Sequence, residues 1–214
     1  MTTRTQPARP IRFYRHPASG HCHRVELLLS ILGLPFERVE VDLMKGAHKA
    51  PEFLQKNPLG QVPVIEDGDI RLADSNAILV YLALRYDASG RWYPRDPLAA
   101  ARVQRWLSIA AGEVFNGPNA ARLVTQFGAQ LDHARAKSIA AQLFAMTEQY
   151  LSAEPFLAGD APTIADLALY AYTACAPEGG VALDAYPNLR HWLARIEALE
   201  GFVPMMRLPL PAAG

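Results

Sequence analysis

The sequence predicts two domains of different class, an α/β domain of βαβ–ββα order followed by an all-helical domain. Three observations carry this. Between Ile11 and Tyr86 the apolar residues alternate between short strand-like runs and helical spacing, in the order strand, helix, strand, strand, strand, helix. From Ala88 to Pro97 the chain holds Ser89-Gly90, Pro94 and Pro97, the composition of a linker. Beyond it Pro97–Asn116, Leu131–Leu151, Thr163–Ala176 and Asn188–Leu199 show helical periodicity or helix-favouring composition, with no strand of useful length. The expected boundaries are a flexible leader over 1–10, the α/β domain over 11–87, the linker over 88–96 and the helical domain over 97–214.

Ile11-Arg12-Phe13-Tyr14 reads as the first strand. Val25, Leu28, Leu29 and Leu32 then recur at helical spacing from Cys22 to Leu32, and Gly33 follows as a C-terminal cap. Phe36, Val39, Val41 and Leu43 mostly alternate in a second strand over Phe36–Leu43. Strand, helix, strand in this length makes a parallel pair with a right-handed crossover. A brief helix is expected around Pro51–Lys56. Val62–Ile65 and Ile70–Leu72 flank Glu66-Asp67-Gly68-Asp69, whose Asp-Gly pair marks a hairpin, and Asp74-Ser75 opens a helix to about Tyr86. This order is that of a thioredoxin-like domain.

The 214 residues are half apolar and 20% charged, enough for a sizeable core. Lys+Arg and Asp+Glu both number 21, so the balanced charge lacks the footprint of a nucleic-acid or acidic-membrane binder. No apolar run approaches the roughly 18 residues of a membrane span. Met1–Pro10 is polar and has no apolar core, so it reads as a leader rather than a secretion signal. The two cysteines, Cys22 and Cys175, are far apart, which excludes a disulfide framework and makes a reducing cytoplasm the simplest setting.

Ser19-Gly20-His21-Cys22 stands between the first strand and the first helix, where thiol-disulfide enzymes carry C-x-x-C. With serine first, the segment cannot exchange disulfides, but its hydroxyl can donate to a thiolate belonging to another molecule. Lowering a thiol pKa of ~8.5 by about two units needs roughly 2.7 kcal/mol of preference for the anion. A hydroxyl donor supplies about 1.5–3 kcal/mol and a helix N-terminus roughly 0.3–1 kcal/mol, so the two suffice without a metal or strong base. Ser19 also reads as a plain helix cap. Pro63 after Val62 either sits on a sheet edge or is cis, and a cis bond would turn the Val62 backbone toward a peptide in strand-like pairing. Asp74-Ser75 at a strand-to-helix junction is suited to an amino-acid zwitterion, Ser75 and the helix N–H groups taking carboxylate and Asp74 the ammonium; it reads equally as a cap. His48-Lys49 lies in a polar loop.

Together these stretches resemble the cytosolic glutathione S-transferase superfamily. Ser19-Gly20-His21-Cys22-His23-Arg24-Val25 is similar to the serine-type catalytic segment of the theta, delta and zeta classes. Gly46–Leu54, Asn57–Val64 and Leu72–Ile78 resemble the glutathione-binding stretches in order and spacing, and Leu157–Asp166 the N-capping box of the helical domain. The resemblance covers nearly the whole chain. It implies that Ser19 hydrogen-bonds the glutathione sulfur, that Val62 pairs with the cysteinyl backbone across a cis Pro63, and that Asp74 and Ser75 hold the γ-glutamyl end. His48 and Lys49 would meet the glycine carboxylate, with Gln61 nearby. It further implies a homodimer acting in the cytoplasm on glutathione and a small hydrophobic electrophile, without a metal. Asp74 is shorter than the usual Glu or Gln, and Gly20 and His21 replace the Ser and Cys of the zeta segment. Tyrosine-type classes place their tyrosine near Arg15, so Tyr14, one residue off, is expected to point away from the sulfur.

Other constellations compete. His16, His21, Cys22 and His23 invite a zinc reading but lack a second ligand pair, and Cys22 at a helix N-terminus is a rival nucleophile. The electrophile pocket is sought in the helical domain, at Glu113, Phe115, Asn116 and Tyr170, with Arg122 a further candidate and Trp106 and Ile109 read as core. Phe202, Met205, Met206 and Leu208 form either an adaptable apolar wall or a frayed tail. Peroxidase, disulfide reductase or isomerase chemistry on the same site, and a non-catalytic binding module of this fold, are the alternative functions.

Overall fold

The computed structural model describes residues 6–210. The outer part of the leader, 1–5, and the last residues, 211–214, lie outside the described residues. The chain divides into two compact units. One runs to Tyr93 and takes back Leu199–Met205; the other holds Pro94–Ala198 and the segment from Met206.

The first unit is a four-stranded sheet of order β2-β1-β3-β4, with β1 (Ile11–Arg15), β2 (Phe36–Glu40), β3 (Val64–Asp67) and β4 (Ile70–Ala73). β1 and β2 are parallel, and β3 runs antiparallel to both β1 and β4. Helices α1 (Gly20–Ile31), α2 (Pro51–Leu54) and α3 (Ser75–Tyr86) complete the βαβ–ββα order. The Asp67-Gly68 hairpin forms, with Gly68 at φ 59°, a conformation open to glycine at little cost. β2 is shorter than its apolar pattern suggests, and β3 lies two residues farther along the chain than expected. β2 stops where its neighbour does, at Arg15 opposite Glu40, and Val41 and Leu43 instead join a small core with Tyr14, Phe53 and Val64. β3 starts at Val64 because Pro63 has no N–H for the ladder.

Glu66 ties this sheet together. It stands opposite Arg12 on β1 and Arg71 on β4, and accepts from both at 3.1 Å. Lys56 donates at 2.9 Å and the Tyr14 hydroxyl at 2.8 Å. Desolvation pushes the Glu66 carboxyl up, but the Lys56 and Tyr14 hydrogen bonds and the cations beside it win, holding it down at about 2.

The second unit is helical: α4 (Pro97–Ile109), α5 (Ala120–Phe127), α6 (His133–Leu151), α7 (Ile164–Ala174) and α8 (Pro187–Glu197). α7 is buried along its whole length. Its Thr163–Asp166 capping box forms, and the buried Asp166 also accepts from Leu157 N–H and Trp192 Nε1, both at 2.9 Å. Arg122 and Glu178 make a buried ion pair at 2.6 Å, so Arg122 is committed to the interior. Sequence patterning missed α5. Gly117-Pro118 reads as a terminus, whereas the chain continues α4 through a π-helical stretch over Ala110–Asn119, kinks at Gly117 and resumes as α5.

The depressed Glu66 carboxyl gives a signed prediction. Its stabilisation is complete above the unfolded value near 4.5 and is lost as pH falls toward 2. Glu66→Gln is expected to cost on the order of 2 kcal/mol near neutrality and to flatten the fall of Tm between those limits; thermal melts against pH check this.

Candidate active site

The sheet register decides which loops meet. Arg15 at the end of β1 lies opposite Glu40 at the end of β2, while Tyr14 faces Val64 at the start of β3 and Val64 faces Ala73 at the end of β4. The segments carrying Ser19, His48-Lys49, Val62-Pro63 and Asp74-Ser75 therefore all leave or enter the sheet at one end.

Ser19 caps α1 with extended backbone, its Oγ accepting the Cys22 N–H at 3.3 Å. The capping role expected of any serine there is thus real, and the hydroxyl keeps one proton to donate, for which the Cys22 sulfur is the acceptor within the protein. The side chain is half-buried and no acidic residue sits in the first turn of α1. Asp74 caps α3 in the same way, Oδ1 accepting the Ala77 N–H at 2.9 Å, and holds φ at 70°, a costly value for a non-glycine residue. It is exposed, whereas Ser75 is buried. The Ser75 Oγ accepts from Arg24 Nη1 at 3.2 Å and lies 3.4 Å from His21 Nδ1, so a side-chain contact joins the first turns of α1 and α3. Burial, with the Arg24 guanidinium beside it, pushes the His21 imidazole down to about 3 and keeps it neutral.

The Val62–Pro63 peptide is cis, which decides between the two readings of that proline. Val62 is half-buried, Pro63 buried, and Val62 lies outside the β3 ladder while packing on the Tyr14 core. The loop before it is braced. Asn57 Nδ2 donates to the Gln61 carbonyl at 2.8 Å, and Lys49 Nζ to the Leu59 and Gly60 carbonyls at 3.1 Å each. At Gly60, φ is 57° and a Cβ would come 2.7 Å from the His48 carbonyl, so the close approach needs glycine. Gln61 is exposed; His48 is half-buried, and its Nδ1 is a buried atom without a hydrogen-bond partner. Burial, then Lys49, lowers the His48 imidazole below its usual value.

Tyr14 turns its hydroxyl to Glu66 and packs its ring edge-on against Phe53. Cys22 is fully buried, and desolvation pushes its thiol up to about 11 against hydrogen bonds from Ser19 and the His16 backbone. A protonated, sealed thiol is no nucleophile, which removes the ground for Cys22 as the reacting group. Among the described residues no group of three His, Cys, Asp or Glu is placed to hold a metal.

In the helical unit, Glu113, Phe115 and Asn116 are exposed on the π-helical stretch, Asn116 Nδ2 donating to the Gly112 carbonyl at 2.9 Å. Wider winding there shifts these side chains from the face that 3.6-residue spacing assigns. Tyr170 is 1% exposed and donates to Glu197 at 2.7 Å, so its reading as a ligand-facing ring gives way to one of core packing. Trp106 is core, edge-on to Tyr150. The tail is neither frayed nor uniformly apolar in its contacts. His23 Nε2 meets the Val203 carbonyl at 2.7 Å and Phe202 packs edge-on to His23, while farther on Arg207 donates to the Ala174 carbonyl at 2.6 Å. Sequence reasoning assigned no role to Arg24, although it stands in the Ser19–Val25 segment.

The model of the glutathione S-transferase N-terminal domain matches residues 9–84, and that of the C-terminal domain residues 123–200. Glutathione S-transferase 3 of Zea mays is 35% identical over 94% of this chain and 96% of its own length. The chain belongs to the glutathione S-transferase family. Human glutathione S-transferase theta-2B is 36% identical over 79% of this chain and 73% of its own. Among solved structures, a glutathione S-transferase from Pseudomonas fluorescens superposes with a TM-score of 0.87 at 32% identity, covering 92% of this chain and 100% of that one. A Drosophila mojavensis transferase homologue with bound glutathione reaches 0.81 at 30% identity, over 89% and 88%. The two-domain α/β plus all-helical architecture is that of the family.

The buried thiol yields a second prediction. Alkylation of native protein at about pH 7.5 is expected to leave Cys22 unmodified for hours and to label it within minutes after denaturation, read by peptide mass spectrometry. Native labelling at the rate of an exposed cysteine would show the thiol to be open.

Proposed function

We propose that this chain is a glutathione transferase that holds glutathione as its thiolate and adds it to small hydrophobic electrophiles. The observation that carries the reading is the convergence of Ser19, Val62-Pro63 and Asp74-Ser75 on one sheet end, in a member of this family. Ser19 donates its hydroxyl hydrogen bond to the sulfur, and the N-terminus of α1, whose first turn holds no acid, adds its positive end. The thiol proton leaves to solvent. The sulfur lone pair then forms the S–C bond while the electrophile's leaving group departs with its electron pair, or while an activated double bond takes the charge and is protonated. Ser19 forms no covalent bond; it stabilises charge.

The Val62 backbone pairs with the cysteinyl residue. Asp74 receives the ammonium of the γ-glutamyl end, and Ser75 with the N–H groups of α3 its carboxylate. His48 supports the glycine carboxylate, for which its buried Nδ1 without a partner makes it the stronger member of the His48-Lys49 pair, beside Gln61. Lys49 already spends donors on the Leu59 and Gly60 carbonyls. In this reading residues 11–87 form the glutathione-binding domain, 88–96 the linker, and 97–214 supply the electrophile pocket through Glu113, Phe115 and Asn116. The protein works as a cytoplasmic homodimer, the setting that suits two buried thiols.

Ser19→Ala is expected to raise the pKa of bound glutathione by one to about two units and to slow conjugation of a halonitroarene at neutral pH by roughly 10- to 100-fold. Affinity for the tripeptide should change by less than about threefold, since Ser19 touches only the sulfur. Ultraviolet titration of the thiolate checks this. An unchanged titration in the variant would remove Ser19 from the mechanism.

A further inference from the structure

Arg24 is a charged side chain in the interior of α1, and it is 1% exposed. It lies one and a half turns beyond Ser19, and its Nη1 donates to Asn76 Oδ1 at 2.9 Å and to Ser75 Oγ at 3.2 Å. Both acceptors belong to the first turn of α3, which contains no acidic side chain of its own. A guanidinium that donates into the Ser75 oxygen takes one acceptor position there, and the hydroxyl proton is left to be shared between the His21 Nδ1 at 3.4 Å and a carboxylate arriving from outside. The Arg24 charge also adds to the positive end of α3, at low exposure, where solvent screens it little. His21, on the other side of the Ser75 hydroxyl, is neutral and adds no second charge. Asn76 accepts from the same Nη1 that meets Ser75, so that nitrogen is held behind Ser75 rather than at the surface.

We propose that Arg24 is a positioning residue for the α-carboxylate of the γ-glutamyl end, acting through Ser75 and the first turn of α3 to make that carboxylate a requirement for binding. The inference rests on the glutathione reading above and assigns to a side chain on α1 the carboxylate selectivity of a site built on α3. It touches neither the sulfur nor the electrophile, so its effect falls on KM for the tripeptide rather than on the thiol pKa.

The test is a cycle between protein and ligand. Calorimetry measures glutathione and 4-aminobutyryl-cysteinyl-glycine, the same tripeptide without that carboxylate, on the wild type, Arg24→Met and Arg24→Lys. Arg24→Met should weaken glutathione by about 10-fold or more and the decarboxylated analogue by less than about twofold, with Arg24→Lys in between because it keeps the charge on a side chain of different reach and hydration. Equal weakening of both ligands in the variants, or weakening of neither, overturns the assignment. If Arg24→Met does not fold, the same comparison on Arg24→Lys decides. A wild-type protein that binds neither ligand overturns the glutathione reading itself and takes this inference with it; a wild type that binds glutathione while the variants lose both ligands alike overturns only the role of Arg24.

Discussion

Two helix N-termini, those of α1 and α3, open at the same end of the sheet because β1 and β4 run in the same direction and each feeds a helix. The first N–H groups of a helix have no partner within it, so each of these ends needs an acceptor. Ser19 and Asp74 each satisfy one donor and leave the others directed at the same space. That arrangement attracts anions, and the ligand proposed for it carries two where they are needed, a sulfur for α1 and a carboxylate for α3. The chemistry of the site follows from this shared polarity more than from any single reactive group. The one thiol nearby is buried and held in its protonated form.

Supporting residues keep that end of the sheet in register. Glu66 gathers Arg12, Lys56, Arg71 and the Tyr14 hydroxyl across three strands and α2's exit, and the small core of Tyr14, Val41, Phe53 and Val64 seats the loop leading to Val62. Tyr14 is therefore structural twice over, by its ring and by its hydroxyl. Lys49 and Asn57 brace the 57–61 loop from either side, close enough that Gly60 has no room for a side chain. These interactions consume polar groups that would otherwise look available for ligand, Lys49 being the clearest instance.

Most of the fold was legible because its signals are local. Asp67-Gly68 specifies a hairpin, Thr163 and Asp166 a capping box, and the apolar spacing from Val25 to Leu32 a helix, although Cys22–Leu29 are buried on every side of it. What escaped depends on partners distant in sequence. β2 ends early because β1 ends, a fact about pairing that Val41 and Leu43 cannot announce. α5 hides behind Gly117-Pro118, whose local chemistry signals a stop while packing carries the chain onward through a π-helical stretch. Within the candidate site, the helix-capping positions of Ser19 and Asp74 were readable, but the inward turn of Ser75 to Arg24 was not. It arises from a contact between residues 51 apart in sequence. Tyr170, chosen as a ring that could face a ligand, is claimed by Glu197 and the helical core.

The location of the sulfur tests the mechanism most directly, and a crystal structure of the protein with glutathione provides it. The sulfur is expected within hydrogen-bond distance of the Ser19 hydroxyl, with the cysteinyl backbone alongside Val62 and the γ-glutamyl carboxylate at the first turn of α3. A tripeptide bound with its sulfur out of reach of Ser19, or absent from that end of the sheet at saturating concentration, would contradict it.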